Sequence, residues 1–267
     1  MELKEQEQLI RIVSQVGNGA HVFTPKEWVN EKVLIIRLDK KDIKEKILER
    51  LYPHLDQIIA VSLYGSYARK EENDDSDIDV LVIAKERFNL EKKKGWDITI
   101  IPKDKFQQAL ELNPILIYSV LNEAVPIINE EYLDNFKKDK IKVKYFKPFL
   151  EETLASLSSD KEILGLDKIT GKFASSSLIY SLFLRLRGIF IINSLLAKED
   201  YSNLLFKKWI LDNCKVKYEK IYSSYKSIRN NEVKKEEVLL NEAESLLILL
   251  EKELTKLIAR IKKNDEA

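Results

Sequence analysis

The stretch from Lys172 to Lys198, KFASSSLIYSLFLRLRGIFIINSLLAK, is apolar almost all the way round a helix. A helix without a polar face is stable only when other elements wrap it. This segment therefore predicts a central buried helix inside a bundle. The chain beyond it supplies the wrapping. YSNLLFKKWILDN and VKYEKIYSSYKSIRNN carry amphipathic spacing, and KEEVLLNEAESLLILLEKELTKLIARIKK reads as one long closing helix. Ser202 stands where the YSNLLFKKWILDN helix needs an N-cap. Unbroken apolar runs such as SLLILL (residues 245–250) fall far short of the ~20 residues that span a bilayer. MELKEQEQ at the N-terminus lacks the apolar core of a signal peptide. With a single cysteine and hence no internal disulfide, the expectation is a cytoplasmic protein without a membrane partner.

Ahead of this helical region (residues 141–267), residues 39–140 alternate helix and strand. Lys40 to Leu55 has a helical period through Ile43, Ile47, Leu48 and Leu51. QIIAVSLYG then reads as a buried strand and SYARKEEN as a short helix. IDVLVIA and WDITII read as strands, followed by a Pro102-led helix containing FQQALEL. That order predicts an α+β core with a mixed sheet and flanking helices. Residues 1–38 differ again. IRIVSQV, GNGAHVFT and KVLIIRL are short β-branched runs split by Gly17-Asn18-Gly19 and Pro25, which predicts a small β unit with tight turns.

Composition removes much chemistry. His21, His54 and Cys214 are the whole supply of imidazole and thiol, too few for a zinc site and barely enough for a nucleophile–His pair. A metal must therefore be held by carboxylate oxygens, which favours Mg²⁺ or Mn²⁺. The net charge of +1 gives no global argument for a nucleic-acid partner.

The informative stretch is LYGSYARKEENDDSDIDVLVI, residues 63–83, with WDITII at 96–101. Asp77 and Asp79 are two apart in a strand-like run, so both carboxylates leave one face of the sheet. Asp97, on the next predicted strand, is placed to join them. Three carboxylates on neighbouring strands are costly without a cation between them. Gly65 and Ser66 stand where a strand gives way to a helix. There a bare backbone, free N–H groups and a hydroxyl suit a phosphate.

Gly65-Ser66, then Asp77-Ile78-Asp79, then an apolar-flanked Asp97 resembles the DNA polymerase β-type nucleotidyltransferase superfamily. The string G-S-x-A-R-x₆-S-D-I-D (residues 65–79) is most similar to its minimal prokaryotic branch, with Lys70 where that branch often has Gly. The resemblance implies that Asp77 and Asp79 hold two divalent ions on a nucleoside triphosphate, ATP being the first expectation. It implies that Asp97 shares the metal nearer the acceptor hydroxyl and takes its proton, and that Gly65 and Ser66 hold the β- and γ-phosphates. AMP would pass to a protein side chain, an RNA 3′ end or a small molecule, with release of pyrophosphate. Arg69 has two readings, a phosphate contact or a solvated helix residue. Lys92, Lys93 and Lys94 read as a solvated loop.

VGNGAHVFTPKEW followed by KVLIIRL resembles the swapped-hairpin AbrB-type fold through Gly17, Asn18, Pro25, Lys26 and Glu27. That likeness implies a homodimer and DNA contact through residues 1–38; a plain hairpin is the other reading. The two likenesses together also describe an antitoxin-like regulator that binds a toxin partner. A helical HEPN-type RNase is set aside, because neither Arg185 nor Arg187 is followed by the His that such an enzyme needs. Two residues apart on a helix, these arginines cannot share a face, so at least one should meet an anion or a buried carboxylate, either the nucleotide or acceptor across a cleft or an acid of the neighbouring helices.

Overall fold

The structure is a computed structural model that describes residues 13–33, 42–74, 76–137, 141–232 and 237–265. The chain divides into two compact units, Met1–Asp42 and Ile43–Ala267.

In the first unit, β1 (Ser14–Val16) and β2 (Gly19–His21) form an antiparallel hairpin in the register Val16↔Gly19. Gly17 at its turn has φ +53°, the left-handed region that makes glycine the natural residue there. Pro25 leads into a single 3-10 turn, Lys26–Trp28. The strand expected from KVLIIRL lies, from residue 34 onward, outside the described residues.

The second unit is α+β, with a mixed sheet and C-terminal helices. It begins with α1 (Ile43–Leu51), which buries Ile47 and Leu51. Four strands follow in the spatial order β5-β4-β3-β6: β3 (Ile58–Tyr64), β4 (Ile78–Ala84), β5 (Trp96–Pro102) and β6 (Val125–Ile128). β3 is antiparallel to both β4 and β6, while β5 runs parallel to β4. Three strands are expected from the sequence and four are found. β6, with only VPII, is too short and too proline-marked to read as a strand until the β3 edge pairs with it.

Both faces of this sheet are covered, which is why β3 and β4 are nearly continuous apolar runs. Ile78, Val80, Val82 and Ala84 pack with Ile47 and Leu51 of α1. Leu81 and Ile83 leave the opposite face and join the core of the helical bundle. By the same alternation Asp79 projects to the bundle side.

Three helices connect strands: α2 (Gly65–Arg69) between β3 and β4, then α3 (Phe106–Leu112) and α4 (Pro114–Glu123) between β5 and β6. α2 is shorter than SYARKEEN suggests, because Lys70 turns left-handed at φ 58° and closes it. α5 (Glu130–Lys137) then leads to the bundle of α6 (Lys147–Thr170), α7 (Ser176–Ala197), α8 (Asn203–Asn213), α9 (Tyr218–Arg229) and α10 (Leu240–Asp265).

α7 is the central helix. It packs on α6, α9 and α10, and reaches across to α4 below the sheet. Its length and apolarity would allow it to cross a bilayer, a feature missed by counting only unbroken apolar runs, since Arg185 and Arg187 interrupt this one. In the fold 61% of its most apolar window is buried. Ser202 caps α8 as expected, its hydroxyl accepting from the Leu205 N–H at 3.0 Å.

Candidate active site

Strand register assembles the site. The β3–β4 ladder sets Tyr64 opposite Asp79, and the parallel β4–β5 ladder sets Asp79 opposite Asp97. Asp77 lies just before β4, two residues from Asp79. At Gly65 the chain leaves β3 with φ +73° and enters α2 directly, which puts the Gly65–Ser66 turn against the same corner of the sheet. Gly65, Ser66, Asp77, Asp79 and Asp97 all line one cleft of about 1500 Å³ between the sheet and the bundle. Of the neighbouring loop acids, Asp74 also lines it, and Asp75 lies outside the described residues.

Charge in this corner is strained. Burial first, then the charges of Asp97 and Asp77, push the Asp79 carboxyl up to about 6, while Arg229 and Arg69 pull the other way. Tyr64 beside it is pushed up to about 12, by burial first, with Asp97, Asp79 and Glu123 adding and the Thr99 hydrogen bond opposing. A carboxylate disfavoured by burial and by its own neighbours is one that a cation would relieve.

The donors facing one another are oxygens only, which fits Mg²⁺ or Mn²⁺. Among the described residues no group of three or more Asp, Glu, His or Cys side chains is drawn together to hold a metal ion by itself. Mg²⁺ is commonly bound by one or two carboxylates together with substrate phosphates, so a cation here would need the substrate's phosphate oxygens beside these carboxylates.

Arg69 fits neither of its sequence readings simply. Its Nη1 donates to Glu123 at 2.6 Å and its Nε to Glu71 at 2.9 Å, with the side chain only 12% exposed. The Tyr201 ring lies 5.3 Å from its guanidinium. Of Lys92, Lys93 and Lys94, Lys94 lines the cleft.

Both arginines of α7 line the cleft, and Arg185 is the one that lies near a carboxylate. Arg185 donates to the Ser181 hydroxyl at 2.9 Å and lies 3.7 Å from Glu152. Arg187 donates to the Tyr201 hydroxyl at 2.8 Å and lines the cleft deep in the fold. Burial opposes the charge on Arg187, but the phenols of Tyr201 and Tyr225 outweigh it and raise its affinity for the proton.

Beyond Arg185 and Arg187, sequence reasoning overlooked the bundle's contribution. Tyr218, Tyr222, Tyr225, Lys226 and Arg229 line the cleft from α9. Their spacing of i, i+4, i+7, i+8 and i+11 marks one helix face, a signal present in the sequence. Tyr222 stacks between Tyr218 and Tyr225, at 5.9 and 6.4 Å between ring centres. Glu123 and Asn203 carried no such signal, because only the tertiary fold brings them to the site.

A family profile described as polymerase beta, nucleotidyltransferase matches residues 45–133. Two putative protein adenylyltransferases of Methanocaldococcus jannaschii are each similar to about a third of the chain. One is 30% identical over 97 residues, covering 33% of this chain and 96% of the relative; the other is 39% identical over 86 residues, covering 32% and 79%. Among solved structures, a spectinomycin adenyltransferase from Enterococcus faecialis, crystallised with ATP and spectinomycin, is 14% identical. It covers 79% of this chain and 97% of its own, with a TM-score of 0.45.

Proposed function

Because the chain belongs to the polymerase β nucleotidyltransferase family, we propose that it transfers AMP from ATP to a hydroxyl group on a protein, releasing pyrophosphate. One observation carries this reading: strand register sets Asp79 opposite Asp97 beside the Gly65–Ser66 turn, inside a cleft that also has a cationic wall. ATP and a protein acceptor are favoured by the names of the Methanocaldococcus relatives, whose likeness is confined to about a third of this chain.

Each side chain then has a task. Asp77, Asp79 and Asp97 would hold the divalent cations, which when bound supply charge neutralisation at the attacking and leaving oxygens. Ser66 orients the terminal phosphates, with Lys226 and Arg229 adding positive charge from α9. Asp97 accepts the proton of the acceptor hydroxyl. The acceptor oxygen bonds to the α-phosphorus, the bond from that phosphorus to the bridging oxygen breaks, and pyrophosphate carries away the electron pair. The cleft exceeds the ~300–1,000 Å³ usual for small-molecule pockets, so ATP leaves room for part of a large acceptor.

The test is incubation of the full chain with Mg²⁺, each α-labelled nucleoside triphosphate in turn, and cell lysate as acceptor source. ATP is expected to give labelled protein, and Asp77→Asn/Asp79→Asn to give none. Label transfer that survives the double substitution would sink the catalytic assignment. Preference for another nucleotide would overturn the ATP assignment alone.

A further inference from the structure

We propose that Glu123 is a positioning residue of the nucleotide site: it clamps the Gly65–Ser66 turn from the side opposite Asp79 and ties that turn through Arg69 to the helical bundle. The inference rests on the reading that this turn receives the triphosphate.

Strand register dictates where Glu123 sits. It is the last residue of α4, and two residues later Val125 pairs with Leu63 on β3, just before Gly65. On the other side of β3, Tyr64 pairs with Asp79. Gly65 is therefore held between two carboxylates delivered by two different ladders. Its N–H donates to Glu123 Oε1 at 2.9 Å, while its α-carbon faces Asp79. Glycine adopts a φ of +73° without strain, so the Glu123 bond fixes the place of the turn between the two ladders rather than its conformation.

The second carboxylate oxygen of Glu123 extends the clamp. Oε2 accepts from Arg69 Nη1 at 2.6 Å, and Arg69 Nε donates to Glu71 Oε2 at 2.9 Å. That same Glu71 oxygen accepts from the Asn203 N–H at 3.2 Å, at the start of α8. Tyr201 donates to the Asn203 side chain and accepts from Arg187. The phosphate turn is thus joined to α4, to α8 and to the central helix by a chain of hydrogen bonds, in which the Glu123–Gly65, Glu123–Arg69 and Glu71–Asn203 links bridge residues far apart in sequence. Arg69 is a link in this chain, and its guanidinium is already shared between two carboxylates.

A rival reading is that Glu123 is a stand-in anion which an incoming phosphate displaces. Displacement would strip a charge-assisted bond from an arginine and a glutamate that are only 12% and 11% exposed. Removing one partner of such a pair is strongly unfavourable. Glu123 therefore stays in place, and Ser66, which lines the cleft, is left as the residue of the turn that meets phosphate.

The test measures ATP binding with Mg²⁺ by calorimetry, which needs no acceptor, together with thermal melting. Glu123→Ala is expected to bind ATP about tenfold more weakly or worse, and Glu123→Gln, which keeps an oxygen for the Gly65 N–H, to recover most of that loss. Unchanged affinity in Glu123→Ala would reduce Glu123 to packing, and tighter binding would establish the displaced stand-in; either overturns the proposal. If the alanine variant does not melt cooperatively, Glu123→Asp, one methylene too short to reach both partners, carries the same expectation and the same overturning outcomes. A wild-type chain that binds no nucleotide fails the reading on which this inference rests, and the clamp falls with it.

Discussion

Gly65 has no room for a side chain because Asp79 stands over it: a β-carbon there would lie 1.9 Å from Asp79 Oδ2. Gly65→Ala must therefore push the carboxylate off its place opposite Asp97, besides straining a backbone at φ +73°. Gly95 separates the two effects. It also has a positive φ, +80°, but open space around its α-carbon. Gly95→Ala is expected to lower stability by about 1–2 kcal/mol through strain alone and to keep ATP binding. Gly65→Ala should lower stability further and lose label transfer. Melting curves and α-labelled ATP assays on both variants check this.

Asp79 makes stability depend on pH in an unusual direction for an acid. Its carboxyl rises from the ordinary 3.8 to about 6 in the folded chain, by burial first and then by Asp97 and Asp77. Folded protein therefore holds this proton more tightly than unfolded chain, so the contribution is full below about pH 4 and is lost as pH rises through about 6. Above that, the ionised carboxylate works against the fold. Asp79→Asn should melt higher than wild type at about pH 8 in chelator, with the gap closing towards about pH 4. Adding Mg²⁺ at the higher pH should raise the melting point of wild type and leave Asp79→Asn unmoved. A variant that melts lower at both pH values would contradict the cause assigned to the shift.

What could be read from the chain, and what could not, follows from how each residue reaches the site. Asp79 is legible because a period of two along β4 fixes its face, whereas Asp77 stands one residue before the strand, where that period does not hold. Gly65–Ser66 is legible because a strand running into a helix is a local event. Asp97 depends on a strand pairing across an intervening loop, yet its apolar flanks announced the strand. Glu123 escapes because its position comes from β6, a four-residue strand whose pairing only the fold supplies. Arg69 misleads for a related reason. On its own helix it looks free for phosphate, but the partners that occupy it, Glu71 and Glu123, lie two and fifty-four residues away. The α9 stripe was legible in spacing, and went unread because a face of tyrosines in a bundle is ordinarily core.

The two arginines of α7 should separate stability from nucleotide binding. Arg185 holds together polar groups inside the bundle, the Ser181 and Ser156 hydroxyls and the nearby charge of Asp160, which is 2% exposed. Arg185 also lines the cleft, yet Arg185→Met leaves that acid without its countercharge, so it should lower the melting point more than Arg187→Met does and weaken ATP binding less. Arg187 faces the cleft and is held by phenols. Arg187→Met removes positive charge from the site, so ATP should bind about tenfold more weakly and with a shallower dependence on salt. Calorimetric titrations at two ionic strengths, beside melting curves, distinguish the pair.

Gly188 sits in the middle of α7, where helix propensity alone would prefer alanine by about 1 kcal/mol. Packing decides otherwise. A β-carbon at this position would lie 2.4 Å from Cζ and 2.8 Å from Cε2 of Phe149, whose ring comes from α6. Overpacking of this kind costs about 1–3 kcal/mol, so Gly188→Ala should be destabilising by up to about 2 kcal/mol after the propensity gain. The collision belongs to one ring, which makes it separable. In Gly188→Ala/Phe149→Leu the shorter side chain vacates the space, and the helix keeps its gain in propensity. The double variant should then be more stable than the sum of the two single changes, with a coupling of about 1 kcal/mol or more measured by denaturant titration of all four proteins. Strict additivity would mean that α6 and α7 do not owe their close approach to the glycine.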